Sequence, residues 1–329
     1  MRDPQPIPEA ELVTTARQLR GPILQAIAKA GSGHPGGSLS ALEIILTLYS
    51  GEMRFDPKEP LWPERDRFVL SKGHGVPALY AVMAARGFFP LEKLQTLREL
   101  GSPFQGHPAN ALLPGIEAST GSLGQGLSVA QGIALAGKLA GDGTPRWRCY
   151  VVTGDGELQE GQVWEAAMSA PHLGVTNLTV FVDWNNGQID GLVQDVMPLE
   201  PLDAKWRAFG WHVLTIDGHS IPAIREACAQ ARACTDKPTV VLAKTVKGKG
   251  VSFMETDTVG WHGKAPNKDE LARAKQRSYF LSTRNLVLAL FTVVRPTPKR
   301  SLSCFVRHPA CRSFASSSRS IRGFCHRAG

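Results

Sequence analysis

The chain has 329 residues, of which 43% are hydrophobic, so it can bury one large core or two smaller ones. This composition excludes a disordered chain and a disulfide-stapled miniprotein, and the longest apolar stretch, residues 286–294, is too short to span a bilayer. The formal net charge of +8 comes from residues 277–329, which carry ten basic and no acidic residues, whereas residues 1–276 carry 27 basic and 29 acidic residues. The overall basicity is therefore no sign of a nucleic-acid-binding domain.

Hydrophobic periodicity predicts an alternation of helices and strands over residues 1–276. In chain order we expect a helix over 9–30, a glycine-rich turn over 31–37, a helix over 40–49, a strand over 68–70, a helix over 123–140, strands over 148–153 and 178–183 with a helix over 161–172 between them, a strand over 211–216, a helix over 221–234 and a strand over 239–243. Strand–helix–strand at this spacing indicates parallel pairing. We therefore predict one α/β domain over 1–276, a doubly wound, mostly parallel sheet with helices on both faces.

The alternation stops after residue 276. Residues 277–329 are rich in Ser and Arg, and we predict a poorly ordered basic tail. A tail for nucleic acid or a membrane surface is the alternative interpretation. Cysteines are sparse and show no metal-binding spacing, and the N-terminus has no apolar signal segment, so we expect a cytoplasmic protein with neither a membrane span nor a specific nucleic-acid partner.

The first candidate site lies where two successive strands end. Asp155 stands between two glycines after the 148–153 strand, and Asn185 with Gly187 follows the next strand. Ligands bind at this edge of open parallel sheets, and hard oxygen donors together with two diphosphate oxygens suit Mg²⁺. Either turn alone is common in proteins without such a role. Their combination about thirty residues apart favours a metal–diphosphate site.

Four histidines form the second candidate site. His34, His74, His107 and His262 each lie in a short turn that contains glycine or proline. A single histidine in a loop is usually a solvent-exposed residue without a catalytic role. Four histidines in such similar turns indicate side chains that face one cleft. Imidazole can donate to phosphate or sugar oxygens and can move protons near neutral pH.

The combined motifs resemble the thiamine diphosphate-binding half of a transketolase. The matching segments, in order, are 33–37, 71–74, 106–108, 121–126, 154–161, 185–191, 247–250 and 261–263, and the resemblance extends from residue 9 to about residue 276.

The resemblance implies a role for each matching residue. It implies Mg²⁺ or Ca²⁺ bound by Asp155, Asn185 and the carbonyl of Gly187. Thiamine diphosphate would be contacted by His74, Gly124, Gly156, Asn185, Lys247 and His262. The reacting sugar would be surrounded by His34, His107 and His262, and Glu160 would join an acidic proton network between subunits.

The implied reaction is reversible transfer of a two-carbon ketol unit from a ketose phosphate to an aldose phosphate. The family activates the cofactor with a glutamate in a second, pyrimidine-binding domain, and nothing in 277–329 resembles that domain. We therefore expect the N-terminal subunit of a split transketolase that needs a separate pyrimidine-binding chain, in an α2β2 assembly that also brings two copies of this chain together.

Two other functions stay open at this point. One is a related thiamine diphosphate enzyme, such as 1-deoxyxylulose-phosphate synthase or part of a 2-oxo-acid dehydrogenase, although the four histidine turns favour transketolase. The other is a catalytically idle fragment that binds cofactor or partner without turnover.

Overall fold

The computed structural model describes residues 5–276, so the predicted basic tail over 277–329 lies outside the described residues. Eleven α-helices occur within the described range: α1 Glu9–Ala30, α2 Pro35–Ser40, α3 Leu42–Thr47, α4 Val76–Ala85, α5 Gln125–Leu139, α6 Gly161–His172, α7 Val193–Val196, α8 Leu202–Ala208, α9 Ile221–Ala233, α10 Ser252–Glu255 and α11 Lys268–Gln276. Five strands accompany them: β1 Arg67–Leu70, β2 Cys149–Gly154, β3 Leu178–Trp184, β4 His212–Asp217 and β5 Thr239–Lys244.

All five strands are parallel, in the order β1-β2-β3-β5-β4. Successive side chains of a strand point to opposite faces, and both faces of this sheet are covered. Tyr150 and Val152 of β2 pack into a core with α1, α3, α4 and α9, whereas Val151 packs into a second core with α5, α6 and α8. The predicted doubly wound sheet with helices on both faces is confirmed.

The glycine-rich turn after α1 is shorter than predicted. Gly31 ends α1 in the left-handed conformation, with φ at 66°, which glycine adopts without steric cost. Pro35 then occupies the first position of α2, where its fixed φ and missing N–H suit a helix start. Residues 35–37 are therefore helical and not part of the turn. The glycines of this segment led to the turn prediction, but Pro35 begins a helix here.

The helix α4 is absent from the sequence-based prediction. Its residues 76–84 are buried on every side, so the segment has no polar face and no helical periodicity to detect. Within residues 5–276, none of the helices is both long and apolar enough to cross a membrane.

The carboxyl ends of β1, β2, β3 and β5 place the candidate functional segments side by side. Residues 71–74 follow β1, residues 155–157 follow β2, residues 185–187 follow β3, and residues 245–247 follow β5. In parallel sheets this edge is where ligands bind.

Candidate functional site

Asp155 is a buried carboxylate at the end of β2. It is 2% exposed, its Oδ1 accepts the N–H of Gly156 at 2.9 Å, and its Oδ2 accepts the N–H of Asn186 from the turn after β3. Burial and the neighbouring Asp183 raise the pKa of Asp155 to about 6. The two hydrogen bonds lower this pKa but do not outweigh the burial. A nearby cation would stabilise the ionised form of this buried carboxylate, which makes it suitable as a metal ligand.

The predicted ligands Asn185 and Gly187 lie in that same turn. The Asn185 Oδ1 accepts the N–H of Gly187 at 3.0 Å, which folds the turn back on itself. The Gly187 carbonyl accepts a hydrogen bond from the Lys247 ammonium at 2.5 Å. Because like charges repel, a metal ion bound to this carbonyl and the Lys247 ammonium would both be favoured by a ligand phosphate between or beside them.

The four histidine rings lie together in one cluster. The His34 ring centroid lies 5.1 Å from that of His74, 5.5 Å from that of His262 and 6.2 Å from that of His107. The His74 and His262 centroids are 5.2 Å apart. These contacts join turns that are far apart in sequence, before α2, after β1, before α5 and near the end of the described chain.

Burial keeps the histidines neutral. It lowers the pKa of His34 to about 4, with help from Arg98, His107 and two lysines, and it lowers the pKa of His262 to about 3, with help from Lys247. The pKa values of His74 and His107 are lowered for the same main reason. A neutral imidazole can accept a proton or hydrogen bond at one ring nitrogen and donate a hydrogen bond from the other.

The contacts of His262 determine its tautomer. Its Nδ1 lies 2.8 Å from the Lys247 Nζ, and a protonated lysine can only donate. The Nδ1 of a neutral His262 therefore accepts, and its Nε2 carries the proton and can donate into the cleft.

The site fits thiamine diphosphate with a divalent ion in three respects. Two of the buried side-chain atoms that have no hydrogen-bond partner among residues 5–276 lie at this site, the Nδ1 of His34 and the Oε1 of Gln188. A Cβ added to Gly156 would lie 3.2 Å from the Gln188 side chain, a tight contact, so glycine leaves more room in this turn than any other residue. The donor set of Asp155, Asn185 and a carbonyl is of the hard-oxygen kind that Mg²⁺ prefers, and Lys247 adds a positive charge for phosphate.

A buried ion pair that the sequence did not reveal connects the segments that carry the candidate site. Asp183 of β3 is fully buried, and its Oδ2 lies 2.5 Å from the Nζ of Lys72, which is 2% exposed. The hydroxyls of Ser40 and Thr245 also donate to this carboxylate. Asp183 thereby joins α2 and the segments after β1 and β5. The one sequence signal was Lys72 itself, two residues before His74.

Glu157 is a second positioning carboxylate without a predicted role. Its side chain accepts the N–H groups of Gly124 and Gly154, each at 3.0 Å, and the hydroxyl of Ser71 at 2.5 Å. It therefore fixes the Gly124 turn against the ends of β1 and β2. Glu160 lies on the exposed surface at the start of α6, outside the histidine cluster. Its role between subunits stays a prediction.

The chain is similar to known transketolases and transketolase subunits. Residues 9–288 match the model of the family "Transketolase, thiamine diphosphate binding domain". The 6-deoxy-6-sulfo-D-fructose transketolase subunit of Clostridium sp. (strain MSTE9) is 49% identical over 247 residues, which are 75% of this chain and 89% of the relative. An apulose-4-phosphate transketolase subunit from Phocaeicola vulgatus is 41% identical over 252 residues, 77% of this chain and 88% of the relative.

A solved structure shows the same architecture. Transketolase from Leishmania mexicana superposes with a TM-score of 0.78 at 31% sequence identity, over 86% of this chain. The match covers 44% of that transketolase, so this chain spans less than half the length of the solved enzyme. From the family match, these relatives and this superposition together, the chain belongs to the transketolase family and comprises its thiamine diphosphate binding domain.

Proposed function

We propose that the chain is the cofactor-binding subunit of a split transketolase, which moves a two-carbon ketol unit from a ketose phosphate to an aldose phosphate. The observation that carries the proposal is the meeting of two groups at one sheet edge. The predicted oxygen ligands and Lys247 lie beside a cluster of four neutral histidines, with Lys247 in contact with both Gly187 and His262.

The metal–diphosphate half of the site would be formed by eight residues. Asp155, Asn185 and the Gly187 carbonyl would hold Mg²⁺, or Ca²⁺ in its place. The diphosphate would be held by Lys247 and Gly156, with further contacts from His74, Gly124, Asn185 and His262. Proximity supports this division, because Lys247 already contacts both Gly187 and His262.

The sugar-binding half of the site would be formed by His34, His107 and His262. Bound thiamine diphosphate supplies a carbon nucleophile and an electron sink for cleavage of a carbon–carbon bond next to a carbonyl. The protons of the sugar hydroxyls must then leave and return, and neutral imidazoles at the cleft surface can carry them. The Nδ1 of His34 can accept a proton, and the Nε2–H of His262 can donate a hydrogen bond to a sugar oxygen. Glu160 would act in a proton network toward a second subunit.

The complete enzyme would combine this chain with a separate pyrimidine-binding chain. Two relatives that this chain nearly covers in length are named as subunits of transketolases, which supports a divided enzyme. We propose an α2β2 heterotetramer in the cytoplasm that acts on sugar phosphates of the pentose phosphate pathway. One relative is named for 6-deoxy-6-sulfo-D-fructose, so a sulfonated ketose is the competing donor.

Co-purification followed by an assay tests the proposal. The tagged chain would be isolated from its source cells with Mg²⁺ and thiamine diphosphate, and recovered protein would be assayed for ketol transfer from fructose 6-phosphate and from 6-deoxy-6-sulfofructose. We expect an equimolar partner, and activity that neither chain shows by itself. Turnover by this chain alone would contradict the divided enzyme, and an inactive pair that binds thiamine diphosphate would favour the idle fragment.

A further inference from the structure

A buried charged cluster lies behind the turn that carries Lys247. Glu43 of α3 is 7% exposed and Arg20 of α1 is 4% exposed, and an Arg20 Nη2–H donates to the Glu43 Oε1. The Nδ1 of His219 lies 3.1 Å from the other carboxylate oxygen, Oε2. We call Glu43, Arg20 and His219 the Glu43 cluster and residues 246–250 the Lys247 turn.

The two partners of Glu43 hold the Lys247 turn on either side of the lysine. The N–H of Val246 donates to the Nε2 of His219 at 2.8 Å. The Nε of Arg20 donates to the Lys249 carbonyl at 2.9 Å. One carboxylate therefore orients both groups that bind the backbone immediately before and two residues after Lys247.

These contacts define how His219 must be protonated. Because Nε2 accepts from Val246, the proton of a neutral His219 is on Nδ1, where it donates to Glu43. Burial raises the pKa of Glu43, but the hydrogen bond from His219 and the charge of Arg20 outweigh it and hold that pKa below its usual value. Glu43 is thus ionised and keeps His219 in the tautomer that the turn requires.

The front of the Lys247 turn faces the candidate ligand site. The N–H of Gly248 donates to the Gly36 carbonyl at 3.1 Å, and a Cβ on Gly36 would come within 2.9 Å of the Lys247 side chain. On the other side, a Cβ on Gly250 would overlap the Arg20 side chain. The turn is therefore packed between α2 in front and the Glu43 cluster behind, which leaves little freedom for the Lys247 backbone.

We propose that Glu43 is a positioning residue, which acts through His219 and Arg20 to hold the Lys247 ammonium where it meets the diphosphate of the ligand. The proposal rests on the proposed function only in the identity of that ligand. A buried charged triad is a costly way to gain stability, since apolar side chains of similar size often serve better. Precise placement of a backbone segment is a use that apolar packing does not replace.

The experiment measures the turn and the ligand separately in the full chain. Amide hydrogen exchange without ligand reports on Val246 and Lys249, and calorimetric titration with inorganic pyrophosphate and Mg²⁺ reports on ligand affinity. The variants are Glu43→Gln, Lys247→Met and their combination, with His219→Leu and His219→Gln as a pair. Glu117→Gln is the matched control, because Glu117 forms a comparably shielded ion pair with Arg65, and neither residue contacts the Lys247 turn.

We expect Glu43→Gln to speed exchange in the Lys247 turn at least tenfold and to weaken pyrophosphate binding about tenfold, with neither change in Glu117→Gln. The combined variant should bind no more weakly than Lys247→Met alone, because Glu43 acts through that lysine. His219→Gln, which offers an acceptor oxygen to Val246, should restore part of the affinity lost in His219→Leu.

Several results would overturn the proposal. If the losses of pyrophosphate affinity add in the combined variant, or if Glu117→Gln loses as much affinity, Glu43 contributes only to the general stability of the fold. Unchanged exchange in Glu43→Gln would show that the cluster does not hold the turn. If the unaltered chain binds neither pyrophosphate nor thiamine diphosphate, the proposed function fails, while the exchange data still decide whether Glu43 holds the turn.

Discussion

The chemistry of the site depends on side chains whose charge is set by burial. His34 and His262 are held neutral, whereas Asp155 is a carboxylate with an unusually high pKa beside the fully buried Lys72–Asp183 pair. A buried carboxylate suits a site in which the positive charge of a metal ion offsets the negative charge of a diphosphate. The neutral imidazoles beside it can accept protons from an uncharged part of the substrate.

The lowered histidine pKa values predict a loss of stability in weak acid. Since the pKa of His34 is about 4 in the folded chain and about 6.5 when unfolded, the folded state binds fewer protons between these values. Stability contributed by neutral His34 is therefore present above pH 6.5 and is lost as the pH falls toward 4. Between pH 7 and pH 4.5 the free energy of unfolding should fall in both proteins, and we expect the fall in His34→Gln to be about 1–2 kcal/mol smaller than in the unaltered chain. Urea unfolding at both pH values measures this, and equal losses in the two proteins would contradict the assignment.

The individual residues of the site could be predicted largely from sequence, but their supports could not. Asp155, Asn185 and the histidines stand in short turns with glycine or proline, which mark them locally. Asp183 and Glu43 lie inside a strand and a helix, where a carboxylate carries no local signal. Their partners Thr245 and His219 are 62 and 176 residues away in sequence, and only the folded chain brings them together.

At the scale of elements, α5 shows how glycine lets a helix approach the sheet. A Cβ on Gly126 would lie 2.6 Å from the Ser71 Cα, so the first turn of α5 packs directly on the segment after β1. Gly132 on the same helix is exposed and has nothing within 4 Å of its would-be Cβ. The close approach at Gly126 keeps Ser71 beside Glu157, which in turn holds Gly124.

These two glycines give a matched pair of substitutions. Gly126→Ala should destabilise the chain by about 1–3 kcal/mol, because the added methyl group forces α5 away from rigid backbone. Gly132→Ala should stabilise it by about 0.5–1 kcal/mol, since alanine is the better helix former at a site with free space. Thermal or urea unfolding of both variants measures the difference, and a Gly126→Ala protein as stable as Gly132→Ala would show that the helix does not need this contact.

Element prediction succeeded where the hydrophobic pattern was strong. The predicted limits of α1 agree with the structure, and those of β2 through β5 differ from it by one residue at the ends. It missed six helices, α2, α4, α7, α8, α10 and α11. Of these, α4 is apolar on all sides, and α2 begins at Pro35 with two glycines that locally favour a turn. Helices α2 and α4 directly follow His34 and the turn of His74, so these two omissions lie beside the histidines.

For the whole molecule, the sheet order explains why one edge collects the site. The strands that carry the functional turns are neighbours, β1, β2, β3 and β5, and two cores on opposite faces hold them rigidly. The chain covers nearly all of two transketolase subunits but less than half of the Leishmania mexicana enzyme. A sequence pattern predicts the βαβ alternation, yet it cannot predict the strand order or the packing that brings four histidine turns together.

Binding of Mn²⁺, followed through the electron paramagnetic resonance signal of the free ion, tests the central claim most directly. The claim is that this sheet edge binds a divalent ion together with a diphosphate. We expect thiamine diphosphate to strengthen Mn²⁺ binding to the chain at least tenfold and the variant Asp155→Asn to lose that effect, because the buried carboxylate is the one charged ligand of the predicted set. Mn²⁺ binding that is the same with and without thiamine diphosphate, or that survives Asp155→Asn unchanged, would contradict the account.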